Sequence, residues 1–270
     1  MIKLPEDIIP DATKYFNIYI SGSIAMFGFS GTSAILRGLG DSKTPLYFLV
    51  ISTIINIVLD LLFIVVFEWG IEGVALATII AQAGAFLTAI IYLNRTHKLI
   101  RISIFRLNFD KDIFLKSMRI GIPSGLQHTF VSLGMLALYR IVNQYGTSTI
   151  AAYSVAGRID SFAIIPAMNF SMALSTFVGQ NMGANKFERV IIGMKSTLRM
   201  TGVLSAIISL FVMVFGRELM AVFSPEPEVI ESGAKYLFIV GAFYIVFACM
   251  FVINAVFRGS GDTLIPMFIT

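Results

Sequence analysis

The sequence predicts an all-α membrane protein, a polytopic helical bundle in two pseudo-symmetric lobes with about seven to eight spans present. Three observations point there. The chain is 57% hydrophobic and only 13% charged, with a mean hydropathy of +0.84, whereas soluble domains carry about 25% charge. Its apolar runs reach the roughly 20 residues that a helix needs to cross a bilayer. A block of 45 residues near the N-terminus also recurs, without a gap, 221 positions later. Lys14 and Tyr15 fall on Lys235 and Tyr236; Arg37, Gly38, Gly40, Asp41 and Pro45 fall on Arg258, Gly259, Gly261, Asp262 and Pro266. In so apolar a chain, such a repeat indicates two related helical bundles, a ground plan common among secondary transporters.

The apolar periodicity places seven spans and the start of an eighth. The first, near 12–36, closes on the segment RGLGD, and the second, near 45–67, opens at Pro45 and carries Asn56 and Asp60. The third and fourth lie near 72–93 and 119–145, the fourth with Pro123 near its start. The fifth, near 149–180, contains Arg158, Asp160 and Pro166. The sixth and seventh lie near 193–215 and 233–257; the seventh ends on RGSGD, and the eighth begins at about Pro266. The two inner prolines are expected to kink their spans or to start them irregularly. Connections are expected to be short except at 94–118 and at the polar segment 216–232. The stretch 94–118 is basic and only partly apolar, which suits an interfacial linker. The domains are therefore 1–95, part of an N-terminal lobe; 96–118, a cytoplasmic linker; and 119–270, the C-terminal lobe. The first dozen residues are polar and acidic and lack a signal-peptide pattern. The single cysteine, Cys249, excludes a disulfide within the chain.

Charge placement sets the orientation. With the linker in the cytoplasm, the inside collects Arg37, Lys43, the linker bases, Lys186, Arg189, Lys195, Arg199 and Arg258. The outside keeps Lys3, Lys14, Arg217 and Lys235 among nine carboxylates. This is the positive-inside pattern. Both RGxGD segments then face the cytoplasm, and Trp69 lies where an interfacial aromatic anchor belongs.

Polar residues inside the spans carry the functional reading. Asn56 and Asp60 are four apart and share one helix face, as do Thr78 and Gln82. Counting outward from the loop at Trp69, Asp60 should match the depth of Thr78, and Asn56 that of Gln82. An ionised Asp within hydrocarbon costs about 2.5–3.5 kcal/mol on insertion scales. A bound cation, a proton or cavity water would offset it; a packing hydrogen bond is the plainer alternative. Arg158 and Asp160 are two apart and cannot pair on a straight helix. Together with Arg140, Asn169 and Asn254 they suit a charge network or a cleft lining in the second lobe.

Other chemistries find little support. The glycines of RGxGDxxxP invite a phosphate-loop reading, but the chain has no GxxxxGK[ST] and no strand pattern. A mechanical account fits better: Arg at a helix end, glycines in a tight turn, proline in the first turn of the next helix. His97 and His128 lie far apart without an evident metal partner, so neither an enzyme nor a transition-metal site is expected. No cofactor and no nucleic-acid partner are expected either. The 24 Phe and 13 Met suit an adaptable wall for bulky ligands, or simply a surface facing lipid.

The segments ILRGLGDSKTPLYF and AVFRGSGDTLIPMF, and the run GIPSGLQHTF…NQYGTSTIAAYSVAGRIDSF…STFVGQNMGA, closely resemble the multidrug and toxic compound extrusion (MATE) family. The resemblance covers essentially the whole chain. It implies a twelve-span fold in two six-helix lobes, with this chain supplying spans four to ten and the start of eleven, and hence a fragment. It also implies a multi-pass protein of the cell membrane that exports amphipathic or cationic small molecules against Na+ or H+, as a monomer by alternating access. A flippase of lipid-linked saccharides, in the same superfamily, is the alternative; it would want a basic cleft, for which Arg140 and Arg158 are the candidates. In the DinF-like branch the coupling site uses an Asn and an Asp one turn apart on the fifth span, a Thr on the sixth and an Asp on the first, the last without a counterpart in this chain. Asn56, Asp60 and Thr78 match in type and spacing. The NorM-like branch uses acidic residues on spans seven and ten, and 120–145 and 233–257 contain none.

Overall fold

The computed structural model describes residues 9–96 and 109–269. The chain divides into two compact units, Met1–Asn108 and Phe109–Thr270. Among the described residues every element is helical.

The first unit holds α1 (Ile9–Ser21), α2 (Ser23–Gly38), α3 (Lys43–Leu61) and α4 (Gly70–Thr96). The first expected span is α1 and α2 together, bent by 46°. The α3 helix runs on into a π-helical turn, Leu62–Val66, before the loop at Trp69. The inner face of α4 is a stripe of small residues, Gly73, Ala77, Ala81, Ala85 and Ala89. Small side chains let neighbouring backbones come close, which is how helices associate where lipid removes the hydrophobic drive. Phe29 of α2 packs on Ala85 and Ala89, with Phe48 and Phe86 alongside.

The second unit holds α5 (Lys111–Val142), α6 (Thr147–Gly183), α7 (Phe187–Phe223), α8 (Pro227–Gly241), α9 (Tyr244–Ser260) and α10 (Leu264–Ile269). The α8–α9 pair is bent by 49°. Four described helices are long and apolar enough to span a bilayer by themselves: α3 with its π turn, α4, α6 and α7. The two bent pairs raise the number to as many as six. The α5 helix has the length for the expected fourth span, but Gln127, His128 and several hydroxyl residues lower its apolar content.

Two expectations change. The segment 216–232 is not a long connection: α7 continues to Phe223 and α8 starts at Pro227. Its charges mask a buried stripe at Val212, Gly216 and Met220, spaced four apart as a helix requires. Residues 111–118, assigned to the linker, form the first turns of α5, capped by Asp110, whose carboxylate accepts the N–H groups of Asp112 (2.9 Å) and Ile113 (3.1 Å). The rest of that linker, with His97, falls at 97–108, outside the described residues. Pro123 and Pro166 lie inside the continuous helices α5 and α6. The two bent pairs break at Gly22 and at Ala242–Phe243, where there is no proline.

Candidate functional site: a carboxylate and an amide on one face of α3

Two contacts fix how α3 lies on α4. The buried Ser52 hydroxyl donates to the Ala81 carbonyl at 3.1 Å. Eleven residues on, Phe63 packs so closely on Gly73 that a Cβ there would come within 2.8 Å of the Phe63 Cβ. Asn56 and Asp60 occupy the same α3 face between these contacts, one turn apart, and both are half-buried. Asn56 Nδ2 and Asp60 Oδ1 are themselves shielded from solvent and have no hydrogen-bond partner among the described residues. Leaving such groups unsatisfied costs about 1–3 kcal/mol each, and more for a charge.

The Ser52 and Phe63 contacts bracket Asn56 and Asp60 on α3 and residues 73–81 on α4, a stretch that includes Thr78 and leaves Gln82 just beyond it. A π-helical turn, Leu62–Val66, follows Asp60. Such π-helical turns often mark functional sites. The Thr78 hydroxyl donates to Val74 in its own helix at 3.0 Å, and Gln82 is half-buried.

The pair suits a small cation. Asp60 presents a free carboxylate oxygen, and a half-turn of the Asn56 amide would set its carbonyl oxygen beside it. Two oxygens one turn apart, on a span with few other polar groups, favour a proton or a hard metal ion over an organic ligand.

The paired RGxGD segments are turns with one shared backbone. Gly40 and Gly261 take φ of +92° and +87°, the left-handed region that favours glycine. The N–H of Asp41 returns to Leu36 O (2.9 Å) and that of Asp262 to Phe257 O (3.0 Å), the six-to-one bond of a Schellman motif. Each Asp then caps the next helix: Asp41 Oδ1 accepts from the Thr44 N–H (3.0 Å), and Asp262 Oδ1 from Leu264 and Ile265 (3.2 and 3.4 Å). Pro45 and Pro266 follow in the first helical turn, where an N–H has no intrahelical partner.

In the second unit Asp160 is buried and Arg158 exposed, so the two do not pair. Asp160 accepts a hydrogen bond from the Tyr244 hydroxyl instead, and Tyr236 packs against the same cluster. Arg140 and Asn169 are exposed, and Asn254 is buried. The tyrosines, Gln127 and Ser209 were not singled out by sequence. Tyr236 did carry a signal, its match to Tyr15 across the repeat; Tyr244, whose counterpart is Ser23, carried none.

The helices, bent pairs and buried polar face define a polytopic α-helical membrane protein. The MatE family model matches residues 1–62 and 123–270, and the chain belongs to that family. It is 36% identical over 265 residues to a Bacillus subtilis protein named "Probable multidrug resistance protein YpnP", covering 98% of this chain and 59% of that protein. It is 32% identical over 273 residues to another from that organism, "Probable multidrug resistance protein YoeA", with the same coverage. Among solved structures, the "outward-facing conformation of a multidrug resistance MATE family transporter of the MOP superfamily" superposes with a TM-score of 0.90 at 21% identity, over 99% of this chain and 60% of that one. The chain thus spans about 60% of the length of the relatives it matches.

Proposed function

We propose that the protein carrying this chain is a multidrug exporter of the cell membrane. It couples outward movement of amphipathic or cationic small molecules to inward movement of Na+ or H+, by alternating access and as a monomer. The observation that supports this most is the pair of buried, unpartnered atoms Asn56 Nδ2 and Asp60 Oδ1 on α3. Within a bilayer an unpartnered carboxylate is costly, and a mobile cation offsets that cost only while bound. Coupling follows if the two access states bind the cation with different affinity, each tenfold difference shifting their balance by about 1.4 kcal/mol. Asp60 supplies the charge, Asn56 an oxygen, and Thr78, on the stretch of α4 between the two contacts, a hydroxyl once it releases Val74. Gln82 lies one turn further in. The names of the relatives favour drugs as cargo. The flippase alternative would draw on Arg140 and Arg158, exposed side chains on α5 and α6.

Dye efflux by the full-length gene product in proteoliposomes tests this. Asp60→Asn should abolish efflux driven by either a sodium or a proton gradient while leaving dye binding in place. Normal efflux by the variant under both gradients would remove Asp60 from the mechanism.

A further inference from the structure

The loop between α3 and α4 is tied down around an aromatic cluster. The Trp69 N–H donates to the Phe63 carbonyl at 2.9 Å, and Glu68 and Gly70 on either side take left-handed φ of +55° and +59°. The rings of Phe63 and Phe67 lie 4.9 and 5.3 Å from that of Trp69, yet Trp69 stays 49% exposed. Trp69 and, one turn apart on α4, Glu72 and Leu76 line a cavity of about 450 Å³, a size that suits a small organic ligand. Glu72 is ion-paired across helices with Lys14 of α1 at 2.8 Å, and both side chains are exposed. Asp11 and Glu68 add two carboxylates, and Lys14 is the one base at this end of the unit among the described residues. The equivalent of Lys14 in the repeat, Lys235, turns instead to Glu231 of its own helix at 2.9 Å.

We propose that this cavity is a binding subsite for an organic cation. Glu72 takes the charge, Trp69 offers its ring, Leu76 gives an apolar wall, and Lys14 is a tethered cation that the ligand displaces. The carboxylate attracts either positive group, so the ring decides between them. An alkylated, weakly hydrated cation gains from an indole within about 6 Å of its centre, the best of the aromatic partners. The Lys14 ammonium is compact and strongly hydrated, and gains less there. Losing an exposed ion pair costs about fivefold at most in an equilibrium. The two further carboxylates keep this end negative even with Lys14 in place, which draws cations towards it. The inference takes its ligand class from the proposed function and gives it a place apart from the Asp60 pair. With the orientation set by the charges, that place is the outer end of the unit, where an outgoing cation leaves.

Trp69 is the chain's single tryptophan, so its fluorescence reports on the site. The probe is N-benzylpyridinium, an organic cation that quenches indole on contact, added to the full-length gene product in lipid vesicles. The Trp69 signal is the difference between the parent and Trp69→Phe. The expected result is saturable quenching in the parent, weakened about tenfold in Glu72→Gln, which loses a charged partner. Lys14→Gln should tighten binding by up to about fivefold, because it removes the competitor, and Lys235→Gln should leave it unchanged. Quenching that never saturates, an unchanged affinity in Glu72→Gln, or no tightening in Lys14→Gln would each overturn the proposal; the first two are what a plain interfacial anchor gives. Vesicles with one fixed fraction of phosphatidylglycerol, filled out with a neutral glycolipid or with phosphatidylcholine, separate a free cation from a lipid headgroup. Equal affinity in both is expected, and a loss with phosphatidylcholine would assign the site to headgroups and contradict the claim. The Asp60→Asn background should keep the quenching curve, so failure of the coupling role and failure of this site remain distinguishable.

Discussion

The two RGxGD turns share a backbone and differ in their surroundings. Their φ values, Schellman bonds and Asp caps coincide. Yet a Cβ at Gly38 would meet nothing within 4 Å, whereas one at Gly259 would come 2.6 Å from the Ser175 carbonyl and 2.7 Å from the Val178 Cβ. Arg37 makes no side-chain bond among the described residues. Arg258 donates to Gln127 Oε1 at 2.7 Å, and Gln127 Nε2 donates to the Pro266 carbonyl at 3.1 Å, fastening α5, α9 and α10 together. The lesson is that the motif encodes the turn, and the neighbouring helices decide what else each residue must do. Gly38 is a helix-end residue with free space, while Gly259 is a contact point between α9 and α6.

This comparison breaks most readily at Gly259. Unfolding in lipid–detergent micelles should show Gly259→Ala destabilised by about 3 kcal/mol, because a backbone oxygen cannot yield as a side-chain tip can. Next comes Gln127→Ala, at about 2 kcal/mol, since it leaves the half-buried Arg258 guanidinium without its acceptor. Arg37→Ala should stay within about 0.5 kcal/mol in the same assay. Gly40→Ala and Gly261→Ala should each cost about 1–2 kcal/mol, and the match between them matters more than the size, because both are paid against the same left-handed φ. Smallest is Gly38→Ala, which should stabilise by about 0.5 kcal/mol: the position is helical and open, and alanine has less freedom to lose.

The bends extend the comparison. Gly22 and Phe243 are equivalent across the repeat and adopt the same backbone, φ −83° and ψ −3° against φ −99° and ψ −2°. In the first copy Ile79 of α4 would lie 2.2 Å from a Cβ, so only glycine fits; in the second the ring of Phe243 is exposed. Two unlike residues in one conformation leave no local signal, which is why both breaks escaped a reading by periodicity.

Legibility in the sequence followed the same division. The spans, the repeat, the turns and the shared face of Asn56 and Asp60 were all readable, because each rests on spacing along one helix. The π-helical turn at Leu62–Val66 was not, because such a turn looks like any apolar run. The ties of Asp160 to Tyr244 and of Ser209 to Gly241 join residues 84 and 32 apart, and which helices meet is decided by packing. The charged surface of 216–223 concealed a buried stripe for the related reason that average polarity hides a face.

The account rests most heavily on Asp60 serving as the seat of a mobile positive charge. Drug-stimulated cation uptake into proteoliposomes, with Na+ and H+ followed separately, tests it most directly. The parent full-length protein should carry one of the two ions inward in step with drug leaving, and Asp60→Asn should lose that flux while still binding drug. Undiminished drug-coupled flux in the variant would contradict the account.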